Sequence, residues 1–229
     1  MTNERLMAPH GMTAGERMCL HSAASDLHAE FRGTFGEETI ESLLLDCYAE
    51  LAPHATVTRW LALRAERLAR QRLHTFANTQ MPTDKVPTVL FASLHDAGRS
   101  QMALGWLIYL ARDRAIARSG GSEPISGIDP AVVAVMADVG IDISGGFSKP
   151  WTDGFGLAAD VIVTMGCGDA SPLLPGRHYQ DWELEDPAGR TLEQIRSIRD
   201  EIKDRVVNLV DKLPEARTTS GSVASLSGR

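Results

Sequence analysis

The chain has 229 residues, is 43% hydrophobic and carries a formal net charge of -7. This size and apolar content allow one ordinary domain plus a smaller one around a genuine core, and exclude wholesale disorder. The acidic balance excludes a nucleic-acid footprint over the chain as a whole, and no apolar run reaches the roughly 18 residues of a membrane span.

Met1 to Leu20 mixes charges with Pro and Gly and lacks the apolar stretch of a signal peptide, so a cytoplasmic location is expected. From about Thr13 to Asn78 the apolar spacing is helical. Leu20, Ala24, Leu27 and Phe31 mark one stripe, and Ile40, Leu43, Leu44, Cys47 and Leu51 a second. Val57, Leu61, Ala65 and Leu68 mark a third. Thr34 followed by Glu37 reads as a capping box opening the second helix. Three such helices are expected to pack as a small bundle over 13–80, with Cys47 a buried structural thiol. Cys19, Cys47 and Cys167 are scattered and provide neither a disulfide framework nor zinc-ligand spacing.

Pro82 to Pro87 reads as a linker, after which the period changes. Thr88 to Ala92 is an apolar run typical of a buried strand, and Ser100 to Arg112 is helical. Ala115 to Gly120 suits a second strand. Asp129 and Pro130 open another helix that Gly140 closes. Ala159 to Met165 is a core strand, Arg177 to Leu184 a shorter one, and Leu192 to Leu213 a long amphipathic helix. Strands alternating with helices predict an α/β domain over 86–213, a four-stranded parallel sheet flanked by helices. The Ser-, Thr- and Gly-rich segment 214–229 is expected to be a disordered tail.

Ser93, Leu94, His95, Asp96, Ala97, Gly98, Arg99 and Ser100 join the first strand to its helix. Successive N–H groups in such a loop, backed by a helix N-terminus, form an anion nest. Gly98 permits unusual backbone geometry, and Arg99 offers a planar fork for two oxyanion oxygens. The Lys of a nucleotide-hydrolase loop is missing. An ordinary strand-to-helix turn with a surface Arg remains open on composition alone.

The segment resembles the phosphate loop of the low-molecular-weight protein tyrosine phosphatases and the arsenate reductases of the same fold: Cys, five residues, Arg, then Ser or Thr. Here Ser93 stands in the Cys place, followed at that spacing by Arg99 and Ser100. Further segments are similar in order: Ser119 to Pro124, Val139 to Ser144, Lys149-Pro150, Thr164 to Ala170, Asp181-Trp182 and Asp186-Pro187. The helical N-terminal region is similar to the three-helix domain of actinobacterial-type arsenate reductases, so the resemblance extends over about residues 13 to 213.

The resemblance implies a Cys thiolate attacking a tetrahedral oxyanion held by the loop N–H groups and Arg99. Ser100 would support the nucleophile, Asp186 would be the general acid, and positions 167 and 171 would carry the redox sulfurs. This chain departs from that pattern with Ser93, with Asp96 where Asn is common, and with Ser171 in place of a second Cys beside Cys167. A serine hydroxyl is far less acidic than a thiol and needs a general base. A Ser–His–Asp arrangement of Ser93, His95 and Asp96 is disfavoured, because neighbours in a tight loop rarely aim at one another. Asp96 would repel an oxyanion unless it points away or is protonated. Trp151 and Trp182 either line the pocket mouth or pack internally.

The expected function is oxyanion binding, to arsenate, phosphate or a phosphorylated partner, without the thiol chemistry of the family. The alternatives are an active arsenate reductase or tyrosine phosphatase carrying a Cys-to-Ser change, and a regulatory interaction protein. Active relatives would draw on thioredoxin or on mycothiol with mycoredoxin. No cofactor, metal, nucleic acid or membrane is expected, and a homodimer stays open.

Overall fold

The computed structural model describes residues 12–54, 60–77, 86–151, 159–166 and 173–214. Val57, residues 82–85 of the expected linker, Cys167, Ser171 and residues 215–229 of the expected tail lie outside them.

Three helices come first: α1 (Ala14–Glu30), α2 (Glu37–Leu51) and α3 (Leu61–Ala77). A reciprocal capping box starts α1: the Glu16 N–H donates to Thr13 Oγ1 at 3.2 Å, and the Thr13 N–H donates to the Glu16 carboxylate at 2.8 Å. The capping box expected at Thr34 and Glu37 does not form. Gly36 is the N-cap of α2 and offers no side-chain cap. The reason lies just before it. Phe35 is buried against Phe31 and Tyr179, with ring centroids 5.9 and 5.5 Å away, so helical geometry begins only after Phe35 is seated. Glu37 and Glu38 in the first turn face the positive end of the helix dipole instead.

The α/β part follows as β1 (Thr88–Ser93), α4 (Arg99–Ala111), β2 (Ile116–Gly121), α5 (Pro130–Ala137), β3 (Val161–Thr164), β4 (His178–Asp181) and α6 (Leu192–Lys212). All strands are parallel, in the order β2-β1-β3-β4. Asp129 caps α5 through the Ala131 N–H, with Pro130 in the first turn, and Gly140 adopts φ +78° beyond its end.

Side chains alternate across a strand, and here both faces are covered. Val89, Phe91, Val161 and Val163 pack against α4, α5 and α6. Leu90, Ile162 and Tyr179 pack in one continuous cluster with the buried stripes of α1, α2 and α3. The three N-terminal helices therefore do not close a core of their own. Leu27, Ile40, Leu44, Cys47, Leu61, Ala65 and Leu73 are all essentially inaccessible, as are Leu90 and Ile162 beneath them. A parallel sheet buried on both faces requires such a cover, and each fully buried side chain contributes about 1.5–3 kcal/mol. Leu43, Leu51 and Leu68 lie at the margin of that stripe, only partly buried.

Asp181 lies at the seam between helices and sheet. The Asp181 N–H donates to the Gly33 carbonyl at 2.9 Å, and its carboxylate accepts from Thr164 Oγ1. Burial first, and then Glu38 and Glu183, push the Asp181 carboxyl above its usual range; the Thr164 hydrogen bond and His28 oppose this. A carboxyl raised on folding binds its proton more tightly in the folded state, so stability falls as pH rises through the folded pKa. Asp181→Asn should therefore raise the melting temperature at pH 7–8. The gain should shrink towards zero near about pH 4, the ordinary carboxylate range. Thermal melts of both proteins across that range test it, and a gain independent of pH would refute it.

Candidate functional site

In a parallel sheet the carboxyl edge is open, and the crevice lies where the connections leave in opposite directions. That point here is β1, between β2 and β3. Ser93 is the last residue of β1 and Arg99 the first of α4, so residues 94–98 turn over the crevice.

The backbone of this loop is polarised. The Ser93, Leu94, His95 and Ala97 carbonyls accept from the N–H groups of Ser122 (3.2 Å), Glu123 (2.8 Å), Ile125 (3.4 Å) and Asp129 (3.1 Å). The Asp96 carbonyl accepts from Gln101 Nε2 at 3.1 Å and Ser148 Oγ at 2.8 Å. The N–H groups of Leu94, His95, Ala97, Gly98 and Arg99 meet no acceptor among the described residues. With every carbonyl turned into the protein, donors face the pocket, and the N-terminus of α4 adds its positive dipole end.

Two glycines make the turn possible. A Cβ on Gly121 would lie 2.8 Å from the Leu94 carbonyl oxygen and 3.0 Å from the Asp96 nitrogen. A Cβ on Gly98 would lie 2.7 Å from Pro187 Cγ, on the segment that closes the pocket from the other side.

Asp96 holds the loop from beneath. It is fully buried at φ +49°, a left-handed conformation that Asp and Asn tolerate better than most residues. Its carboxylate accepts from Ser100 Oγ (2.9 Å), Gln101 Nε2 (3.0 Å) and the Lys149 N–H (3.1 Å). Burial pushes this carboxyl above the usual range, against the pull of Ser100 and Lys149. The expected repulsion of an oxyanion is thus met by one of the two escapes foreseen: the side chain points away from the pocket.

Ser93 Oγ donates to Ser100 Oγ at 2.9 Å and accepts from the Asp96 N–H at 3.3 Å. His95 Nδ1 lies 3.1 Å from the Glu123 carbonyl oxygen, so the imidazole is engaged there and no Ser–His–Asp relay forms. Arg99 Nη1 donates to the Leu184 carbonyl at 3.2 Å, and Nη2 pairs with Asp186 at 3.3 Å. The Asp186 carboxylate also accepts from the Ala188 N–H at 2.9 Å, which sets it at the pocket rim.

Ser93, His95, Ala97, Gly98, Arg99 and Asp186 share one pocket. Leu94 and Asp96 contribute their backbone, and Ser100 lies beneath, buried. Ile125, Asp129, Pro187 and Ala188 complete the wall; sequence reasoning missed the first, second and last of these. Trp151 and Trp182 take no part in it: Trp151 packs in the cluster with the N-terminal helices, and Trp182 lies 5.7 Å from the Phe91 ring. Gln101, Ser119, Ser148 and Lys149, which brace Asp96 and its neighbours, were also missed as site residues. Ser119, in the similar segment Ser119 to Pro124, and Lys149, in the pair Lys149-Pro150, had left a signal in the sequence; Gln101 and Ser148 had not.

Two family descriptions match this chain. Residues 88–219 match "Low molecular weight phosphotyrosine protein phosphatase", and residues 20–77 match "Protein-tyrosine-phosphatase-like, N-terminal domain". A glutaredoxin arsenate reductase of Synechocystis is 38% identical over 128 residues, 55% of this chain and 97% of that one. An arsenate reductase of Staphylococcus aureus is 34% identical over 125 residues, 53% of this chain and 94% of its own length. Among solved structures, a thioredoxin-dependent arsenate reductase of Corynebacterium glutamicum is similar over 84% of this chain and 94% of its own, at 38% identity and TM-score 0.50. An arsenate reductase in a phosphate-binding state is similar over 56% and 98%, at 36% identity and TM-score 0.51.

Replacing Asp96 by Ala should leave Ser100 Oγ and the Lys149 N–H without the carboxylate they donate to, while Gln101 Nε2 keeps the residue-96 carbonyl and Ser119 Oγ, and should place Ala at a positive φ. At about 1–3 kcal/mol for each unsatisfied group, a loss of about 3–5 kcal/mol is expected, read as a lower urea midpoint. A change under about 1 kcal/mol would refute the bracing role.

Proposed function

This chain belongs to the low molecular weight phosphotyrosine protein phosphatase family, and from that premise we propose that it binds a tetrahedral oxyanion, phosphate or arsenate, without reducing arsenate. The observation that carries this reading is the loop of residues 93–99, with its carbonyls occupied and five N–H groups that meet no acceptor among the described residues. Arg99 supplies the one cationic side chain among the pocket-lining residues. A bound dianion competes with Asp186 for the guanidinium, and charge-assisted hydrogen bonds to its oxygens outweigh the half-exposed ion pair.

Ser93 occupies the position of the family's nucleophilic Cys. Reduction of arsenate to arsenite takes two electrons, which thiols supply by becoming a disulfide. A serine oxygen cannot supply them. Ser171 in place of a second Cys removes the intramolecular partner of Cys167 as well. On this reading residues 13–80 are a helical cover for the α/β domain of residues 86–213, and the protein acts in the cytoplasm.

Phosphate titrated into the purified protein should bind with a Kd from high micromolar to millimolar, roughly 4–6 kcal/mol. Arg99→Ala should weaken it more than about tenfold, since a charged hydrogen bond contributes about 1.5–3 kcal/mol. Calorimetry measures both. Arsenate-dependent NADPH oxidation should stay at background with thioredoxin and its reductase, and with mycothiol and mycoredoxin. No heat or shift perturbation up to about 50 mM phosphate, a concentration at which even about 2 kcal/mol of binding is visible, would end the binding reading. Turnover above background would end the non-reducing one.

A further inference from the structure

The Ser–His–Asp arrangement is disfavoured because neighbours in a tight loop rarely aim at one another, and His95 indeed engages the Glu123 carbonyl instead of Ser93. The structure contains a different chain of donors and acceptors. Ser93 Oγ donates to Ser100 Oγ at 2.9 Å, and Ser100 Oγ donates to Asp96 Oδ1 at 2.9 Å. The three residues are 4%, 0% and 0% exposed, so water does not interrupt the path. Ser93 nevertheless reaches the pocket wall.

We propose that Ser93 is a nucleophile towards phosphomonoesters, its proton leaving through the Ser100 hydroxyl to the Asp96 carboxylate. This inference rests on the oxyanion-binding reading, because the loop must first hold the phosphoryl group. Ser93 Oγ attacks phosphorus, the Oγ proton passes to Ser100, and the Ser100 proton passes to Asp96. The bond from phosphorus to the ester oxygen breaks, and that oxygen takes a proton from Asp186, which binds one from solvent once Arg99 turns to the phosphoryl oxygens. The product alcohol leaves and Ser93 carries the phosphoryl group. Water then attacks phosphorus and gives a proton to Asp186, which releases it to solvent when the ion pair with Arg99 re-forms. The bond from phosphorus to Oγ breaks, and Oγ recovers its proton from Asp96 through Ser100. No electrons are exchanged with any redox partner.

Several features suit Asp96 to this role. Burial strengthens its hold on a proton, as a base for a weakly acidic hydroxyl requires. The Lys149 N–H and Gln101 Nε2 fix its orientation. Its own N–H donates to Ser93 Oγ at 3.3 Å and stabilises charge developing there. The rim residues Ile125, Pro187 and Ala188 favour an ester with an apolar or aromatic organic part. An Asp at 96 and a Ser at 93 are then complementary: a carboxylate two hydrogen bonds from the nucleophile helps a hydroxyl lose its proton, whereas it disfavours a thiolate by like-charge repulsion.

That complementarity provides the test. The full-length protein should hydrolyse p-nitrophenyl phosphate, and acid-quenched samples should carry one phosphoryl group on Ser93 by mass spectrometry. Asp96→Asn should lower kcat about 100-fold with KM little changed. In the Ser93→Cys background the same Asp96→Asn change should raise kcat. A merely structural role for Asp96 would lower activity in both backgrounds, and that outcome overturns the proposal. Ser100→Ala, which cuts the relay and leaves Asp96 two of its donors, should also lower kcat about 100-fold in the Ser93 protein. Should Asp96→Asn fail to fold, unchanged turnover in Ser100→Ala overturns the proposal alone. Phosphate binding without hydrolysis or phosphorylated Ser93 refutes the relay and leaves the binding reading intact; absence of phosphate binding refutes both.

Discussion

A single buried carboxylate shapes the crevice at the end of β1. Asp96 lies at φ +49° with three donors around its side chain and two on its carbonyl. An ionised group so placed is stable only when its hydrogen bonds are satisfied, and those that satisfy it come from α4 and from residues near 148. Together they tie the loop to α4 and to the segment beyond α5. The turn at Asp96 reverses the peptide planes, so carbonyls point towards residues 122–129 and N–H groups towards the pocket. The anion-facing donors are thus a consequence of how the loop is held from below.

The same loop depends on what lies above and beside it. Gly121 ends β2 without a Cβ, which lets the loop rest on its backbone. Pro187 closes against Gly98, and this brings Asp186 within reach of Arg99. Beneath, the sheet is kept rigid by apolar cover on both faces: α4, α5 and α6 on one, the N-terminal helices on the other. Preorganised N–H groups bind anions well only if the backbone need not rearrange, so the N-terminal helices support the site although none of their residues lines its pocket.

The electrostatics run against the chain as a whole. A net charge of -7 repels anions at long range, yet screening confines that effect to about 8–10 Å at ordinary salt. Inside the pocket the aligned amides, the helix end and one guanidinium act at hydrogen-bonding distance. Local geometry therefore decides the sign of what binds.

Much of the fold was legible in the sequence. Period-3.6 stripes placed α1, α2 and α3, and the apolar runs at 88–92 and 159–165 placed β1 and β3, because burial is written into the spacing of apolar residues. The loop spacing from Ser93 to Arg99 and Ser100 marked the site. Other features were invisible for the opposite reason. Thr34 and Glu37 had the composition of a cap, but the burial of Phe35 moved the helix start to Gly36. The N-terminal stripes predicted a bundle, and only packing revealed that they share a core with the sheet. The direction of the Asp96 side chain, the engagement of His95 and the chain from Ser93 through Ser100 to Asp96 depend on contacts made by residues as distant as Glu123 and Lys149. The sequence by itself determined which residues could be buried and where an anion loop could stand. Tertiary structure decided which way each polar group faces, since hydrogen-bond partners are chosen by three-dimensional proximity and not by order along the chain.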